Sequence, residues 1–440
     1  MFYSLLAVIA LAAIPYGTVE PWWRAVFACL VFALTALSVT VPLLVRQRQP
    51  RLKLPALFFP VLALLAFALI QTIPWSHFTA AGLRLGQTLS ADSFQTRQFA
   101  VELLALLLVA WLLLLHTRTP SRLRVLIDVV VAIGFVSAAF GLCRQLSQQG
   151  PGFLLPKLLP GYGYGQFINS NHFAFLMEMS VGLALGLIVF RGVSGGRLVV
   201  YLIAVVPMWV ALVFANSRGG ILSMLCQVMF LATLFVSQRE SRKRARFSPT
   251  RRLLLQAALV AMLLLGAVVT VVFVGGDPLA GKIDSLSVEL DRKTADTFAL
   301  RPNIWRATWE LIKDHPVAGV GFGGYWVAIT EYHHGTGEAS PQEAHNDYLE
   351  LLASGGLIGL AIGVWFALLF VSMARREVHG NDRYLRAAKF GALAGIVAVA
   401  VHSLVDFGLH LTINAALFTV LLAIVMISAG GLSDEPTVAK

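Results

Sequence analysis

Arg301-Pro-Asn-Ile-Trp-Arg306 and Ala344-His-Asn-Asp-Tyr-Leu-Glu350 lie within residues 275–358, the one long polar interruption in a chain that otherwise consists almost entirely of apolar runs. Pro302 suits the first turn of a helix, where its missing N–H costs nothing. Apolar residues then recur at helical spacing until His315, which precedes a proline. The first segment therefore predicts a short amphipathic helix that lies at a membrane surface.

The second segment predicts the start of a membrane-spanning helix. Asp347 and Glu350 stand three residues apart before an apolar run, which is the spacing of a capping box. His345 then lies just outside the membrane, at the water boundary. An imidazole there can act as a general base that takes a proton from a substrate hydroxyl at neutral pH. The alternative is a polar residue that merely precedes a helix.

The composition excludes a soluble globular protein. The 440 residues are 58% hydrophobic and 13% charged, whereas ordinary soluble domains have roughly 25% charged residues. Apolar runs of spanning length, about 20 residues each, fall near 2–17, 22–45, 54–73, 97–116, 123–143, 170–190, 198–215, 218–236, 252–274, 351–374, 386–408 and 410–430. We therefore expect an all-α integral membrane protein with about twelve transmembrane helices. Residues 1–440 form one polytopic domain, with the loop 275–350 between the ninth and tenth spans.

The positions of the basic residues predict the orientation of the spans. Lys and Arg accumulate in every second loop, which is the positive-inside pattern, so both termini are expected in the cytoplasm. The alternate loops then face outward, at 74–96, 144–169, 216–219, 275–350 and 406–410. The net charge of +11 is thus a topology signal. It does not indicate a nucleic-acid partner, because the basic run 239–252 contains a single aromatic residue, Phe247, and no series of aromatic residues suited to stacking on bases.

Three arginines are candidates for binding an anionic substrate. Arg218, Arg301 and Arg306 all fall on the predicted outer side, where the topology rule disfavours cations. A guanidinium matches a phosphate with two parallel hydrogen bonds. The glycine-rich stretch Gly319–Gly324 is expected to be a flexible loop, with an anion nest of backbone N–H groups as the alternative. Because no Asp-x-Asp nucleotide–metal motif is present, these cations suit a lipid donor that carries a phosphate or pyrophosphate.

Other polar residues have both a functional and a structural interpretation. The loop that enters the sixth span either lines a substrate groove or forms an aromatic belt with an asparagine cap, and it contributes Asn169, Asn171 and Glu178. Ionisable residues inside spans are functional candidates by default; besides Glu178 they are Glu102, Asp128, His402 and Asp406. His402, Asp406 and His410 recur every four residues, so a structural His402–Asp406 pair is expected. Asp128 lies one turn from Arg124 on the predicted cytoplasmic side and is expected to pair with it. A metal held by Glu343, His333, His334 and His345 fits no compact zinc spacing, and no metal or cofactor is expected.

Three blocks of residues together resemble the O-antigen ligase and O-antigen polymerase family. The first is Ser217-Arg218-Gly219. The second is Arg301 with Trp305 and the stretch Asp314-His-Pro-x-x-Gly-x-Gly321. The third is Ala344-His-Asn-Asp-Tyr-Leu349, followed by Gly355-Gly-Leu-Ile-Gly359. The order of the blocks and the long loop between them match the family over roughly residues 160–370.

The resemblance implies a metal-independent, inverting glycosyltransferase of the GT-C class in the bacterial inner membrane, with its active site facing the periplasm. Its partners would be a glycan donor linked to undecaprenyl pyrophosphate, an acceptor that is either lipid A–core or a growing glycan, and membrane lipid. Arg218 and Arg301 would bind the pyrophosphate, and His345 would activate the acceptor or hold the phosphate. Further substrate-binding candidates are Arg306, Asn169, Asn171, Glu178, Asn346 and Tyr348.

The first hypothesis is therefore an O-antigen ligase that acts on lipid A–core, and the alternative is an O-antigen or exopolysaccharide polymerase with the same chemistry. Motif spacing does not separate the two. A transporter for a polyprenyl-linked solute would explain the helix count and the ionisable residues in the spans, but no half-to-half symmetry supports it. A purely structural subunit would leave the outward arginines and His345 without a role.

Overall fold

Helices make up most of the structure, a computed structural model that describes residues 1–45, 54–80, 83–147, 163–242, 301–333, 341–377 and 382–428, together with Leu158 and Leu432. In these residues the α-helices are α1 Phe2–Leu11, α2 Pro21–Leu44, α3 Phe58–Gln71, α4 Ser93–His116, α5 Pro120–Leu146, α6 Ser170–Val189, α7 Gly196–Phe214, α8 Arg218–Arg242, α9 Arg301–Asp314, α10 Tyr325–Ala328, α11 Asp347–Glu377, α12 Arg383–His402 and α13 Thr412–Met426. Ile329–Glu331 and Gly408–His410 form 3-10 helices, and β1 Ser76–Ala80 pairs antiparallel with β2 Leu83–Gln87.

The apolar runs correspond to helices wherever the chain is described. Eight helices are long and apolar enough to cross a membrane, namely α2, α4, α5, α6, α7, α8, α11 and α12. Three shorter apolar helices, α1, α3 and α13, occupy the predicted runs 2–17, 54–73 and 410–430. The run 252–274 lies outside the described residues. The described chain is thus that of a multi-pass helical membrane protein with eight full-length candidate spans. The total of twelve stays a prediction, since three further apolar helices are shorter and one predicted run is not described.

Helices α6 and α12 form the centre of the bundle. Every residue of α6 from His172 to Leu187 is buried except Leu185. Two glycines of α6 face two glycines of α12, and a Cβ on Gly182 or Gly186 would meet the backbone of Gly395 or Gly391. Small residues let the backbones of membrane helices approach this closely. Such close packing matters in a membrane, because lipid supplies no hydrophobic driving force for helix association. The seam fixes the start of α6 beside the end of α12.

The amphipathic helix predicted near residue 301 is α9. Its buried side is Ile304, Ala307, Thr308, Leu311 and Ile312, whereas Trp309, Glu310 and Lys313 are exposed. The capping box predicted at the start of α11 is wrong. Asn346 caps this helix, since its side-chain oxygen accepts from the N–H groups of Tyr348 and Leu349, both at 3.0 Å. Glu350 instead accepts from the Ala344 N–H at 2.8 Å, because the cap stands one residue before Asp347.

The glycine-rich stretch is a packed connection and not a flexible loop or an anion nest. The N–H groups of Val320 and Gly321 donate to Ala353 and Ser354 of α11, at 3.0 and 2.9 Å. Gly323 N–H donates to Thr96 Oγ1 of α4 at 3.0 Å. These donors are therefore already used within the protein. The backbone is tight enough that a Cβ on Gly321 would meet Ser90.

The residues just before the glycine-rich stretch support an interruption in α11. Gly356 has φ 59° and ψ −158°, so the helix breaks there. The freed N–H groups of Leu357 and Ile358 donate to the carbonyls of Pro316 and Val317, at 2.8 and 3.2 Å. A broken helix is tolerated in a membrane only when its backbone is satisfied by neighbouring protein in this way. The first part of α11 is thereby held as a separate short helix.

We predict that Gly321→Ala lowers the free energy of unfolding by about 1–3 kcal/mol, because the added methyl overpacks against Ser90. The φ of 93° adds strain, since L side chains avoid that region. The matched control is Gly196→Ala in the first turn of α7, where no atom lies within 4 Å of the new Cβ. Thermal unfolding of both variants in detergent checks this. Equal stability of the two variants would contradict the close packing.

Candidate active site

The ends of six helices meet at one end of the bundle. The starts of α6, α8, α9, α11 and α13 gather around the segment that follows α12. Asn171 of α6, Arg301 of α9 and His345 before α11 all reach one carboxylate of this segment, Asp406. Three residues that lie far apart in the sequence are therefore brought together by their contacts with a fourth, Asp406.

Asp406 has no exposed side-chain surface. Its Oδ2 accepts from Arg301 Nη2 at 2.9 Å and from the Asn171 amide, and its Oδ1 accepts from the Phe407 N–H at 2.9 Å. His345 Nδ1 lies 3.5 Å from Oδ1. Both carboxylate oxygens are thus occupied by neighbouring groups. A buried carboxylate requires such compensation, because losing water without it is expensive.

These neighbours keep Asp406 ionised. Burial by itself favours the neutral acid, but the His345 imidazole and the Arg301 guanidinium outweigh burial and lower the pKa of Asp406 to about 2. The carboxylate is therefore charged throughout the physiological range. It can hold the Arg301 guanidinium in place and orient the His345 ring.

Backbone contacts on both sides fix the position of His345. Trp305 of α9 donates from Nε1 to the Ala344 carbonyl at 3.0 Å, and the Asp347 N–H donates to the Ser403 carbonyl at 2.9 Å. His345 itself has φ 50°, a left-handed conformation that is uncommon for residues other than glycine. Such backbone strain is found where surrounding structure imposes it, often at functional sites. The side chain remains 30% exposed and so is reachable.

Arg218 begins α8 and is exposed. The adjoining Gly219 packs against the ring of His402 and against Val405, so a Cβ there would clash with the imidazole. Arg218 is therefore placed next to the segment that carries Asp406. The His402 ring that Gly219 contacts has its Nδ1 2.7 Å from Glu178 Oε1, and both side chains are fully buried. Glu178 thus holds the His402 ring against which Gly219 packs, and its own side chain has no exposed surface for a ligand.

The remaining candidates have separate positions. Asn169 caps α6 by accepting from the Asn171 N–H at 2.8 Å, as the asparagine-cap interpretation predicts. Tyr348 is 44% exposed and donates to the Ala400 carbonyl at 2.7 Å. Arg306 is exposed and lies five residues after Arg301, about 140° around the helix axis. It therefore does not share the face of α9 that reaches Asp406.

The central part of the loop into α6, residues 164–167, is buried, whereas Ile168 is exposed. Tyr164 and Phe167 are 4% and 0% exposed and pack on Phe173 of α6, with ring centroids 4.8 and 6.1 Å away. These two rings do not form an exposed aromatic belt. Gly161 and Tyr162 of the same motif lie outside the described residues.

Two predicted pairs are wrong. His402 does not pair with Asp406, because His402 Nδ1 lies 2.7 Å from Glu178 Oε1 while Asp406 pairs with Arg301. Asp128 was expected beside Arg124, but it accepts from Arg197 Nη2 at 3.0 Å and from the Tyr201 hydroxyl at 2.6 Å. These contacts join α5 to α7 at the opposite end of the bundle.

A second ionic cluster surrounds His410. Its Nδ1 lies 3.2 Å from Glu343, and its Nε2 lies 3.6 Å from both Asp347 and Glu350. Burial disfavours the imidazolium, but Glu343 and Glu350 raise the pKa of His410 well above its ordinary value. For Glu343, burial opposes ionisation, but His410 lowers the pKa to about 2. The cluster thereby ties the end of the long loop to the start of α13.

Three of these residues also have the geometry of metal ligands. Ligand atoms of Glu343, Glu350 and His410 lie within 4.8 Å of one another. This set differs from the one considered from the sequence, because His345 belongs to the Asp406 group and His334 lies outside the described residues. The ion pairs of His410 account for the arrangement without a cation.

Sequence patterns identified Arg301 and His345 but not the residue that joins them. Asp406 stood out only as an ionisable residue near the end of a span, and its proposed partner was incorrect. His172 and Phe407, which lie beside it, had no individual signal. The available clue was the number of polar residues between the last two spans, which exceeds what a short turn requires.

We predict that Asp406→Asn lowers the free energy of unfolding by about 1–3 kcal/mol, because Arg301 and His345 lose a buried ionic partner. Since the folded pKa of about 2 lies below the ordinary value of about 3.9, the contribution is present above about pH 4 and is lost as the pH falls toward 2. Thermal unfolding at several pH values measures this. Glu310→Gln is the control, because it breaks an exposed ion pair with Lys313 that contributes little.

A further prediction concerns His410→Gln. The raised pKa means that the imidazolium stabilises the fold below about pH 6.5 and that this contribution is lost as the pH rises through the folded pKa. The stability difference between wild type and His410→Gln should therefore be largest in mildly acidic buffer and should shrink in alkaline buffer. Unfolding midpoints from pH 5.5 to 9.5 test the trend. A difference that grows with pH would refute the charged state of His410.

Comparison with known proteins identifies one matching family. A family profile described as O-antigen ligase matches residues 203–364, which include Arg218, Arg301 and His345. No curated protein matches the chain. Members of the matched family are glycosyltransferase-like enzymes that act on a lipid-linked glycan and an acceptor. Over residues 203–364 the match confirms the resemblance to the O-antigen ligase and O-antigen polymerase family that was drawn from the three sequence blocks.

Proposed function

We propose that this protein is an inverting, metal-independent glycosyltransferase that moves a glycan from undecaprenyl pyrophosphate to an acceptor sugar, as an O-antigen ligase that acts on lipid A–core. The observation that carries the proposal is the buried Asp406 carboxylate, which holds a guanidinium and an imidazole side by side at one end of the bundle. A cation for the leaving group and a base for the acceptor are what this transfer requires.

Arg301 and Arg218 would stabilise the leaving group. As the bond from the anomeric carbon to the pyrophosphate oxygen breaks, negative charge develops on that oxygen. Fixed cations lower the energy of such a transition state, because they need no reorganisation when the charge appears. Arg301 is held by Asp406 yet 39% exposed, so part of its guanidinium is available to a phosphate. Arg218 stands on the neighbouring turn, also exposed.

His345 would act as the general base. Its Nδ1 lies toward Asp406, so Nε2 would take the proton from the acceptor hydroxyl. The deprotonated oxygen then forms the bond to the anomeric carbon while the pyrophosphate departs on the opposite side. One displacement of this kind inverts the anomeric configuration. No covalent glycosyl-enzyme is formed, and no second catalytic carboxylic acid is needed.

The location of the site follows from the loop charges. Basic residues concentrate at the other end of the bundle, so we infer a periplasmic site in the bacterial inner membrane, with both termini in the cytoplasm. A lipid-linked donor would reach the site laterally from the membrane. An O-antigen or exopolysaccharide polymerase would use the same residues and the same chemistry, and differs only in its acceptor.

The test is complementation of a deletion strain with wild type or with His345→Ala, Arg301→Ala or Arg218→Ala. We expect each variant to leave full-length glycan on its lipid carrier and to leave lipid A–core bare, since the chemistry loses its base or a cation. The lipopolysaccharide ladder and the lipid-linked pool are read together. Transfer should fall by roughly 100-fold or more.

The matched control is Arg97→Ala, an exposed arginine in the first turn of α4 at the same end of the bundle. This variant should give the wild-type ladder. Single repeat units on the core, with single units also accumulating on the carrier, would identify a polymerase instead. A normal ladder in all three site variants would refute the proposal, and solute flux without glycan transfer would favour a transporter.

A further inference from the structure

Phe407 follows Asp406 and is surrounded by three histidines from different parts of the chain. The ring centroids of His172 and His345 each lie 4.8 Å from that of Phe407, and the centroid of His410 lies 5.7 Å away. The planes of the three imidazoles make angles of 69–77° with the phenyl ring. Phe407 is only half-buried. Phe407 is therefore bordered by three imidazole rings, one of which belongs to the proposed base, His345.

His172 is the least explained of these histidines. It is 7% exposed, and its Nε2 is buried with no hydrogen-bond partner in the described part of the chain. A buried polar atom without a partner costs about 1–3 kcal/mol. The His172 ring also forms no ion pair with a carboxylate in the described residues. Since buried polar groups are almost always satisfied, Nε2 requires a partner, and a bound molecule can supply it.

We propose that Phe407 and the imidazoles around it form a subsite for the acceptor sugar ring, in which His172 makes a hydrogen bond to a ring hydroxyl. This inference rests on the proposed glycosyl transfer. A sugar has weakly polar C–H groups that suit the negative face of an aromatic ring, and hydroxyls that suit imidazole nitrogens. His345 contacts the same phenyl ring, so a sugar bound there would present its hydroxyl to the base.

The charged groups around this subsite are already paired. Asp406 accepts from Arg301 at 2.9 Å, and Glu343 lies 3.2 Å from the His410 imidazole. Neutral hydroxyls need no further counter-charge there. The chemistry of the subsite therefore fits an uncharged part of a saccharide.

His172→Phe separates a ligand contact from a structural role. It keeps an aromatic ring of similar shape and removes only the nitrogens. If Nε2 serves the sugar, the KM for the acceptor should rise about tenfold, which corresponds to about 1.4 kcal/mol, while kcat stays within about threefold. The unfolding midpoint should be unchanged or higher, because an unsatisfied buried atom is gone. Phe407→Leu should raise the same KM, and His172→Gln should restore part of it.

The control is His116→Gln, at the other end of α4 from the site, where the imidazole bonds to Ser38. It should leave KM and kcat at wild-type values. An unchanged acceptor KM in both His172→Phe and Phe407→Leu would overturn the subsite. So would a fall in kcat alone, or a loss of stability with unchanged KM, since either outcome makes His172 a structural residue.

Direct binding distinguishes failure of the subsite from failure of the proposed reaction. Purified full-length protein is titrated calorimetrically with core oligosaccharide released by mild acid from a ligase-deficient strain, and separately with the oligosaccharide released from the lipid-linked donor. Saturable binding of either probe that weakens about tenfold in His172→Phe supports the subsite even if no transfer is detected. Absence of saturable binding of both probes to wild type overturns it.

Discussion

The candidate site depends on one buried carboxylate. Asp406 lies in the segment after α12, and without its charge Arg301 would lack an anchor and His345 an orienting partner. The interaction is possible because the starts of α6 and α9 and the residue before Asn346, the cap of α11, deliver an amide, a guanidinium and an imidazole to the same point. A lone carboxylate at this depth would take up a proton instead. The site is thus a consequence of helix packing as much as of the individual residues.

The packing in turn depends on close backbone contacts. The glycine seam between α6 and α12 sets the position of Asn171 relative to Asp406, and the Gly319–Gly324 stretch holds the first part of α11 against α3 and α4. The break at Gly356 lets that first part follow its own direction, so that His345 can reach the end of α12. Glycines therefore determine geometry here through what they allow to approach, and not through flexibility.

The sequence predicted those features that depend on local spacing. The helix Arg301–Asp314 and the apolar spans follow from periodicity, and His345 and Arg301 could be singled out because both residue types are unusual at a predicted outer boundary. Pairings across the bundle could not be predicted. Asp406 was assigned to His402 because they are four residues apart, but the helix ends between them. The glycine-rich stretch resembled a loop because its partners in α11 and α4 are not neighbours in the sequence, and Thr96 of α4 is 227 residues from Gly323.

Charge balance bears on the proposed pyrophosphate site, because the carboxyl groups of Glu343, Asp347 and Glu350 surround His410 close to it. Unshielded carboxylates there would repel an incoming pyrophosphate. Two charges about 8 Å apart still interact by about 2 kcal/mol at an effective dielectric constant near 20. The imidazolium of His410 is placed among the three carboxylates and cancels part of their field. The raised pKa of His410 therefore supports the role proposed for Arg218 and Arg301, because a neutral His410 would leave the charge of Glu343 uncompensated.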